Sequence, residues 1–388
     1  MPDRQSEART VLDDSLLDTP EALARADRRG LLRGAAEAGA RVRTAIRHAD
    51  EAGIAALRPE GRPRAVIIAG PGAAAASVAD LIATLAHGAC PVIRLQPTGV
   101  APAAGALRWT LPGWAGPVDL LLIATPDGAE PGLELLADQA YRRGCSVTTV
   151  APAGTPLHET VGAKHGLAVP MATSLYTAEY EEGAAAGPDA LWALLTPLLA
   201  LLDRAGLLEA KPDGLQKVAD RLDSTAERCG PAIATYSNPA KTLAAELDES
   251  LPLIWTEGPS AGPVGRRFAA LLAEIAGRAA LAGELPEALP AHGSLLTGDL
   301  AAGGDPDDFF RDRVEEPQAL RARAVLLRDR PTGGLSAAPA ARELALGHDI
   351  AISELEPQEG SDLETLAELI AVTDFAAVYL ALASGGRS

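Results

Sequence analysis

The sequence predicts an α/β protein of two doubly wound, parallel-sheet subdomains behind an N-terminal helical segment. Three observations carry this. With 388 residues, the chain exceeds the roughly 250–300 that one hydrophobic core supports. Short apolar runs that read as strands alternate with helical periodicity along most of its length, as βαβ units do when their helices cover both faces of a parallel sheet. Hydrophobic residues make up 47% of the chain and aromatic ones only 3%. The core must therefore be Ala, Leu and Val, in Ala-rich helices layered on aliphatic strands. The expected boundaries are 1–60 for the helical segment, 61–207 for the first subdomain and 208–388 for the second.

Residues 19–57 have a helical pattern, opened by Thr19-Pro20-Glu21 as cap and first turn. The Pro/Gly-rich break from Arg58 to Pro63 leads into a strand at 64–70, a helix at 73–87 and strands at 91–96 and 119–125. A helix at 130–143, strands at 146–152 and 166–171, and a helix at 188–207 complete the first subdomain. The second opens with an amphipathic helix at 212–228, a strand at 231–237, a helix at 239–249, a strand at 251–257 and a helix at 264–282. The charged, Gly/Pro-bearing stretch 301–318 reads as a surface excursion. Strands at 323–329 and 348–356 and a helix at 363–383 follow. Both subdomains begin with a strand, a loop and a helix of similar size, a weak internal repeat.

Thirty-four basic against 52 acidic side chains leave a net charge of −18. A nucleic-acid or anionic-membrane partner needs a basic patch, and no Lys/Arg run of that size occurs, so neither is expected. Only four of the basic residues are lysines, which makes catalytic amines scarce. Cys90, Cys145 and Cys229 are odd in number, widely spaced and without a CxxC pair, so neither a disulfide framework nor a zinc site is signalled. They read as small buried residues. The N-terminus lacks the apolar region of a signal peptide. The longest apolar stretch, 191–202, is interrupted by Pro197, short of the roughly 18 residues a membrane span needs. A cytoplasmic protein is expected.

Two strand–loop–helix junctions carry the candidate chemistry, because such a junction can hold an anion at a helix N-terminus. The first, Gly70-Pro71-Gly72-Ala73-Ala74-Ala75, satisfies G-x-G-x-x-A, so a dinucleotide fold has to be weighed. Arg94 stands where the acidic ribose ligand is expected, which would favour NADP. No hydride-transfer site follows, however, and no cofactor is expected. The second, Ala124-Thr125-Pro126-Asp127-Gly128-Ala129-Glu130, has the frame of a phosphate loop but one hydroxyl, a proline and two carboxylates.

The stretch YSNPAKTLAAELDESLPLIWTEGPSAGPVGRRFAALLAEIAG, 236–277, resembles the C-terminal domain of the bifunctional phosphoglucose/phosphomannose isomerases, proteins made of two SIS (sugar isomerase) domains. In that family an NPAKxLAxEL helix precedes a strand, a Gly/Pro loop and a helix bearing R-W-K-x-Q-x-N-E-N-A-K. Here Arg267 and Glu274 keep their separation, while Ala273, Ile275 and Gly277 replace the two asparagines and the lysine. LPEALPAHGSLLTG, 285–298, is similar to the family's P-E-x-N-H-N-E-x-x-G with altered spacing, which makes His292, in a Pro/Gly loop, the candidate histidine. LETLAELIAVTDFAAVYLALASG matches the last helix.

The resemblance implies SIS-type subdomains, a homodimer whose sites are built across subunits, and aldose–ketose isomerisation of a sugar phosphate. Glu274 would move the proton between C1 and C2 through a cis-enediol, and His292 would help open the ring. Such acid–base work needs groups in hydrogen-bond reach and a carboxyl whose pKa is raised by a dry setting. Gly70, Gly72, Thr125, Gly128, Ser260 and Arg267 would contact the substrate. Against the family's G-x-G-G-S and S-x-S-G-N-T loops, Ala74 takes the first serine's place. Ala124, Pro126 and Ala129 replace two serines and a threonine, and Asp127 replaces a glycine. Each hydroxyl donating to an ionised oxygen contributes roughly 1.5–3 kcal/mol, so phosphate binding should be much weakened, with Asp127 and Glu130 adding repulsion. The lysine of the family's C-terminal tail has no counterpart up to Gly386-Arg387-Ser388. A second reading follows, in which the chain is a catalytically degenerate SIS protein that binds a sugar derivative or a protein partner as a regulator.

Other groupings carry less. Asp305-Pro306-Asp307-Asp308 reads as a helix cap rather than a cation site, and no metal is expected. Glu179, Glu181 and Glu182 read as a solvated run. Ser237, Ser260 and Ser294 lack the G-x-S-x-G setting of a nucleophile elbow.

Overall fold

The computed structural model describes residues 14–59, 61–99, 107–173, 187–298, 300, 321–329 and 335–384. The stretch 301–318, the acidic run at 179–182 and Asp305–Asp308 lie outside them. The chain divides into two compact units, one of residues 29–226 and 358–371, the other of 1–28, 227–357 and 372–388.

Among the described residues the N-terminal helical segment holds four α-helices, α1 (Asp14–Leu17), α2 (Pro20–Ala26), α3 (Leu31–Ala36) and α4 (Ala38–Glu51). Gly30 sits in the left-handed region at φ +68°, which a continuing helix cannot accommodate.

The sheet of the first unit contains β1 (Ala65–Ala69), β2 (Val92–Arg94), β3 (Asp119–Ala124), β4 (Ser146–Ala151) and β5 (Leu167–Pro170). All pairs are parallel, in the order β2-β1-β3-β4-β5. Every residue of β1 and β3 is buried, as expected of central strands covered on both faces. Ile93, Ile67, Leu121 and Val147 form one row across the sheet. Ile67, Ala69, Leu121 and Ile123 pack against α6 (Pro131–Arg142) and α7 (Pro156–Ala163). Strand alternation turns Val66, Ile68 and Leu122 to the other face. There α5 (Gly72–Leu85) packs on β1 and β2, and α8 (Asp189–Arg204) packs on β4 and α5. Helix α8 continues through Pro197, which therefore does not break the apolar stretch it lies in. Strand order reverses between β1 and β3, so their loops leave in opposite directions and open a crevice at the C-terminal edge, the place where such sheets bind ligands.

After α9 (Pro212–Cys229) and α10 (Pro239–Glu246), the second unit repeats this order with four parallel strands. They are β6 (Ser250–Glu257), β7 (Leu281–Glu284), β8 (Arg321–Arg328) and β9 (Ile352–Leu355), arranged β7-β6-β8-β9. Leu253, Trp255, Ala324 and Leu326 form a core with Leu296 of α12 (Ala288–Thr297) and Ala338, Ala341 and Ala345 of α13 (Ala338–Gly347). Helix α11 (Ala261–Ala276) packs on β6 and β7. Helix α14 (Asp362–Ala383) is long and apolar enough to cross a membrane, but its apolar window is wholly buried, so it serves as a core helix.

Two expectations are corrected. Residues 231–237 form no strand; Thr235–Ser237 is a 3-10 turn. The reason is Lys241, fully buried, whose ammonium takes hydrogen bonds to the carbonyls of Pro231 (2.8 Å) and Ile233 (2.7 Å). A chain that wraps two carbonyls around one cation cannot extend into a ladder. Within 285–298, Ala288–Thr297 forms helix α12 rather than a Pro/Gly loop, and His292 lies inside it.

Candidate active site

At the first crevice the end of β1 and the end of β3 touch. A side chain on Gly70 would place its Cβ 2.0 Å from the Ala124 carbonyl oxygen, so only glycine lets the loops meet. Gly72, at φ +72°, starts α5. Thr125 is fully buried, and its hydroxyl oxygen accepts the backbone N–H groups of Asp127 (3.3 Å) and Gly128 (3.2 Å). These are donors that a phosphate loop turns toward its ligand. Gly128 is left-handed at φ +71°, and a Cβ there would lie 2.5 Å from the Thr155 hydroxyl. Thr155 in turn donates to the carbonyl of Pro152 at 2.8 Å. Asp127 is exposed, and one carboxylate oxygen of Glu130, at the N-terminal edge of α6, is buried without a partner. The structure thus brings Gly70, Gly72, Thr125 and Gly128 to one crevice, with the loop closed on itself by the threonine.

The crevice of the second unit, between β6 and β8, holds a residue that the sequence reading passed over. Glu257 ends β6, is buried, and accepts hydrogen bonds from the Ser336 hydroxyl (2.9 Å), the N–H of Ala337 (2.5 Å) and Ala338 (3.3 Å), and Arg328 Nε (3.1 Å). A carboxylate sits on the N-terminus of α13, where a helix dipole favours an anion. Burial pushes its pKa up, but the hydrogen bonds from Ser336 and Ala337 and the Arg328 cation outweigh this and hold it below the ordinary value. The available signal was an acid at the very end of an apolar strand, directly before Gly258-Pro259-Ser260. Ser260 itself is buried at the start of α11.

Helix α11 also carries Arg267 and Glu274. Arg267 is buried and donates through Nε and Nη2 to the two carboxylate oxygens of Asp374 on α14, at 3.0 and 2.7 Å. Burial raises the pKa of Asp374, and the guanidinium opposes the rise. Glu274 is exposed as a residue, yet enough protein surrounds its carboxyl for desolvation to raise the pKa, with Arg267 pulling the other way. His292 is buried and its Nδ1 accepts the indole N–H of Trp255 at 2.7 Å, with the rings 6.3 Å apart. A neutral imidazole accepting at Nδ1 carries its proton on Nε2. Burial lowers the pKa of His292, favouring that neutral form.

The NPAK motif proves architectural. Asn238 caps α10 by accepting the N–H groups of Ala240 and Lys241, both at 3.1 Å, and Lys241 lies 5.5 Å from the ring centre of Tyr379. The tyrosine hydroxyl donates to the Cys229 carbonyl at 2.6 Å. Among the described residues no cluster of three or more His, Cys, Asp and Glu side chains could hold a metal, and the three cysteines form no disulfide.

Comparison with known proteins agrees with this architecture. Residues 236–386 match the family described as the bacterial phospho-glucose isomerase C-terminal SIS domain. No curated protein matches the chain. Among solved structures, a candidate phosphosugar isomerase from Silicibacter pomeroyi DSS-3 superposes with a TM-score of 0.54 at 16% identity, over 89% of this chain and 95% of that one. Another from Clostridium difficile 630 gives 0.57 at 11% identity, over 90% and 91%. The C-terminal domain of glucosamine-fructose-6-phosphate aminotransferase from Francisella tularensis gives 0.51 at 13%, over 92% and 96%. At these identities the likeness shows the fold alone: the chain folds as these proteins do, and its residues 236–386 match the bacterial phospho-glucose isomerase C-terminal SIS domain.

Proposed function

We propose that this protein performs aldose–ketose isomerisation of a sugar phosphate, with Glu274 as the base that moves a proton between C1 and C2 through an enediol. The observation that carries this reading is the Glu274 carboxyl, raised in pKa by its surroundings and set on the same helix as the buried cation Arg267. A carboxyl whose pKa is raised by desolvation is suited to take and return a proton. His292, neutral with its proton on Nε2, supplies a donor for ring opening. Gly70, Gly72, Thr125 and Gly128 of the first unit, and Ser260 and Arg267 of the second, are the candidate substrate contacts within their own units. The working form is a cytoplasmic homodimer.

The test is a proton NMR time course in heavy water with glucose 6-phosphate, mannose 6-phosphate and fructose 6-phosphate in separate tubes. Interconversion with deuterium entering C2 is expected, and Glu274→Gln should lower kcat by about 10³-fold or more while leaving the fold intact, since general acid–base groups contribute roughly 10²–10⁴. Unchanged turnover in that variant removes Glu274 from the mechanism.

A second reading, binding without turnover, is favoured by the first loop, where the Thr125 hydroxyl occupies two N–H donors and Asp127 and Glu130 add negative charge. Calorimetry with the same hexose phosphates and with nucleotide sugars separates the two. Heat of binding without conversion in the NMR experiment selects the second.

A further inference from the structure

Asp374 has no role in the reading above, yet it holds the buried cation of the helix that carries Glu274. It is buried on α14 and takes both prongs of the Arg267 guanidinium, at 3.0 and 2.7 Å. A two-pronged arginine–carboxylate contact fixes the plane of the guanidinium as well as its place. Arg267 precedes Glu274 by seven residues on α11, about two turns, so the two share a face. Helical side chains lean toward the N-terminus, which carries the Glu274 carboxyl back toward that cation. The other cation of α11, Arg266, pairs with Glu284 of β7, and Arg278, just past the end of the helix, pairs with Asp248 at 2.8 Å. Arg267 is the charge whose field acts on the Glu274 carboxyl.

We propose that Asp374 is a positioning residue for Glu274: by clamping Arg267 from the last helix, it fixes the orientation of the positive charge two turns away on the face that bears the proton-carrying carboxyl. The proposal rests on the reading of Glu274 as the base. Its physical content is a coupling between two carboxyls through one guanidinium, and that coupling can be measured without turnover. A buried ion pair rarely adds stability over an apolar pair of the same size, so a clamp of this kind is better explained by what it orients.

The experiment titrates the Glu274 carboxyl by carbon-13 NMR in full-length protein labelled at the glutamate side-chain carboxyl, with the resonance assigned by its loss in Glu274→Gln. In Asp374→Asn the released guanidinium acts more strongly on Glu274, and its proton affinity should fall roughly tenfold, as an opposite charge close by does. Asp374→Glu should restore the native titration. In the double variant Arg267→Met/Asp374→Met, which leaves no orphaned charge and so folds where Asp374→Asn does not, the affinity should rise above the native value. Identical Glu274 titration in the native protein and the double variant overturns the proposal and leaves the pair merely structural. Turnover is read separately in the heavy-water assay, where the acid limb of the kcat/KM profile should move in the same direction. Coupling without turnover fails the isomerase reading while the positioning holds; turnover without coupling fails the positioning alone.

Discussion

The two switch-point crevices have the same strand order and opposite contents. In the second unit a carboxylate fills the place where an anion would sit: Glu257 gathers a serine hydroxyl, two backbone N–H groups and an arginine. In the first, a neutral hydroxyl does a smaller version of the same task, with Thr125 collecting two N–H groups at 3.2 and 3.3 Å. A resident charge with four donors is not displaced by a ligand, since the ligand would have to repay the burial of that charge. Two long bonds to a hydroxyl are worth about 0.5–1.5 kcal/mol each, which a ligand can offset. A repeated fold can therefore fill one crevice with a buried charge and close the other with a weaker internal contact, and the difference lies in the residue at the end of the strand.

The sharpest way to break the comparison is Glu257→Gln. It removes the charge that satisfies the start of α13 and Arg328, and breaking a buried pair on one side costs about 3–5 kcal/mol. Urea unfolding should report a loss of that size; a loss under about 1 kcal/mol would mean the carboxylate is not holding the crevice. The pH dependence follows from its depressed folded-state pKa. Its contribution is complete above the ordinary glutamate value of 4.5 and is lost as pH falls through the folded value. His292, with its folded pKa also lowered, works in the same sense: its contribution is complete above about 6.5 and is lost below the folded value. Stability should therefore fall on acidification below about 6.5 and fall further below 4.5. The acid step should shrink in the glutamine variant, the remainder coming from Asp119, Glu354 and Glu364, whose pKa values their partners also hold down.

Thr125→Val tests the other half. Valine fits the same buried space, removes the acceptor, and leaves the N–H groups of Asp127 and Gly128 without it. A buried unsatisfied donor costs about 1–3 kcal/mol, so the loss measured by urea unfolding should be smaller than for Glu257→Gln, and Thr125→Ser should recover most of it. Equal losses at the two positions would remove the distinction between a filled crevice and a fillable one.

How far the sequence reveals these features depends on the range of the interactions behind them. The parallel sheets were legible because β1 and β3 are unbroken apolar runs, and α11 because its apolar face recurs at helical spacing. Helix α12 was not, since a stretch with Leu285-Pro286, Pro290 and Gly293 has local preferences for a loop, and its helix is fixed by burial of Ala288, His292 and Leu296 against the second sheet. The strand expected at 231–237 fails for a related reason: Lys241, ten residues beyond Pro231, takes the carbonyls a ladder would use. At the site, Gly70, Thr125 and Gly128 were legible as a loop frame, and Arg267 and Glu274 through their separation on one helix. Glu257 and Asp374 were not, because each acts on groups far away in sequence, across 79 residues to Ser336 and 107 to Arg267.

The smallest expected effect sharpens the comparison most directly, because it asks whether the first crevice still admits a phosphate. Asp127 and Glu130 flank the N-terminus of α6 with negative charge, one exposed and the other with a buried oxygen lacking a partner. Replacing both by their amides, Asp127→Asn/Glu130→Gln, keeps the shape of the loop and removes the repulsion. Exposed charge pairs are worth only about 0.2–1 kcal/mol each, so the affinity for glucose 6-phosphate, measured by calorimetry at low salt, should rise by a factor of roughly three to ten. The gain should shrink as salt is added, because screening weakens what the carboxylates contribute. The opposite pattern, with no gain from the amides but a gain when Thr125 is also changed to valine, would assign the closure of the crevice to the threonine hydroxyl and its two N–H donors. Charge would then only decorate a loop already shut by its own hydrogen bonds.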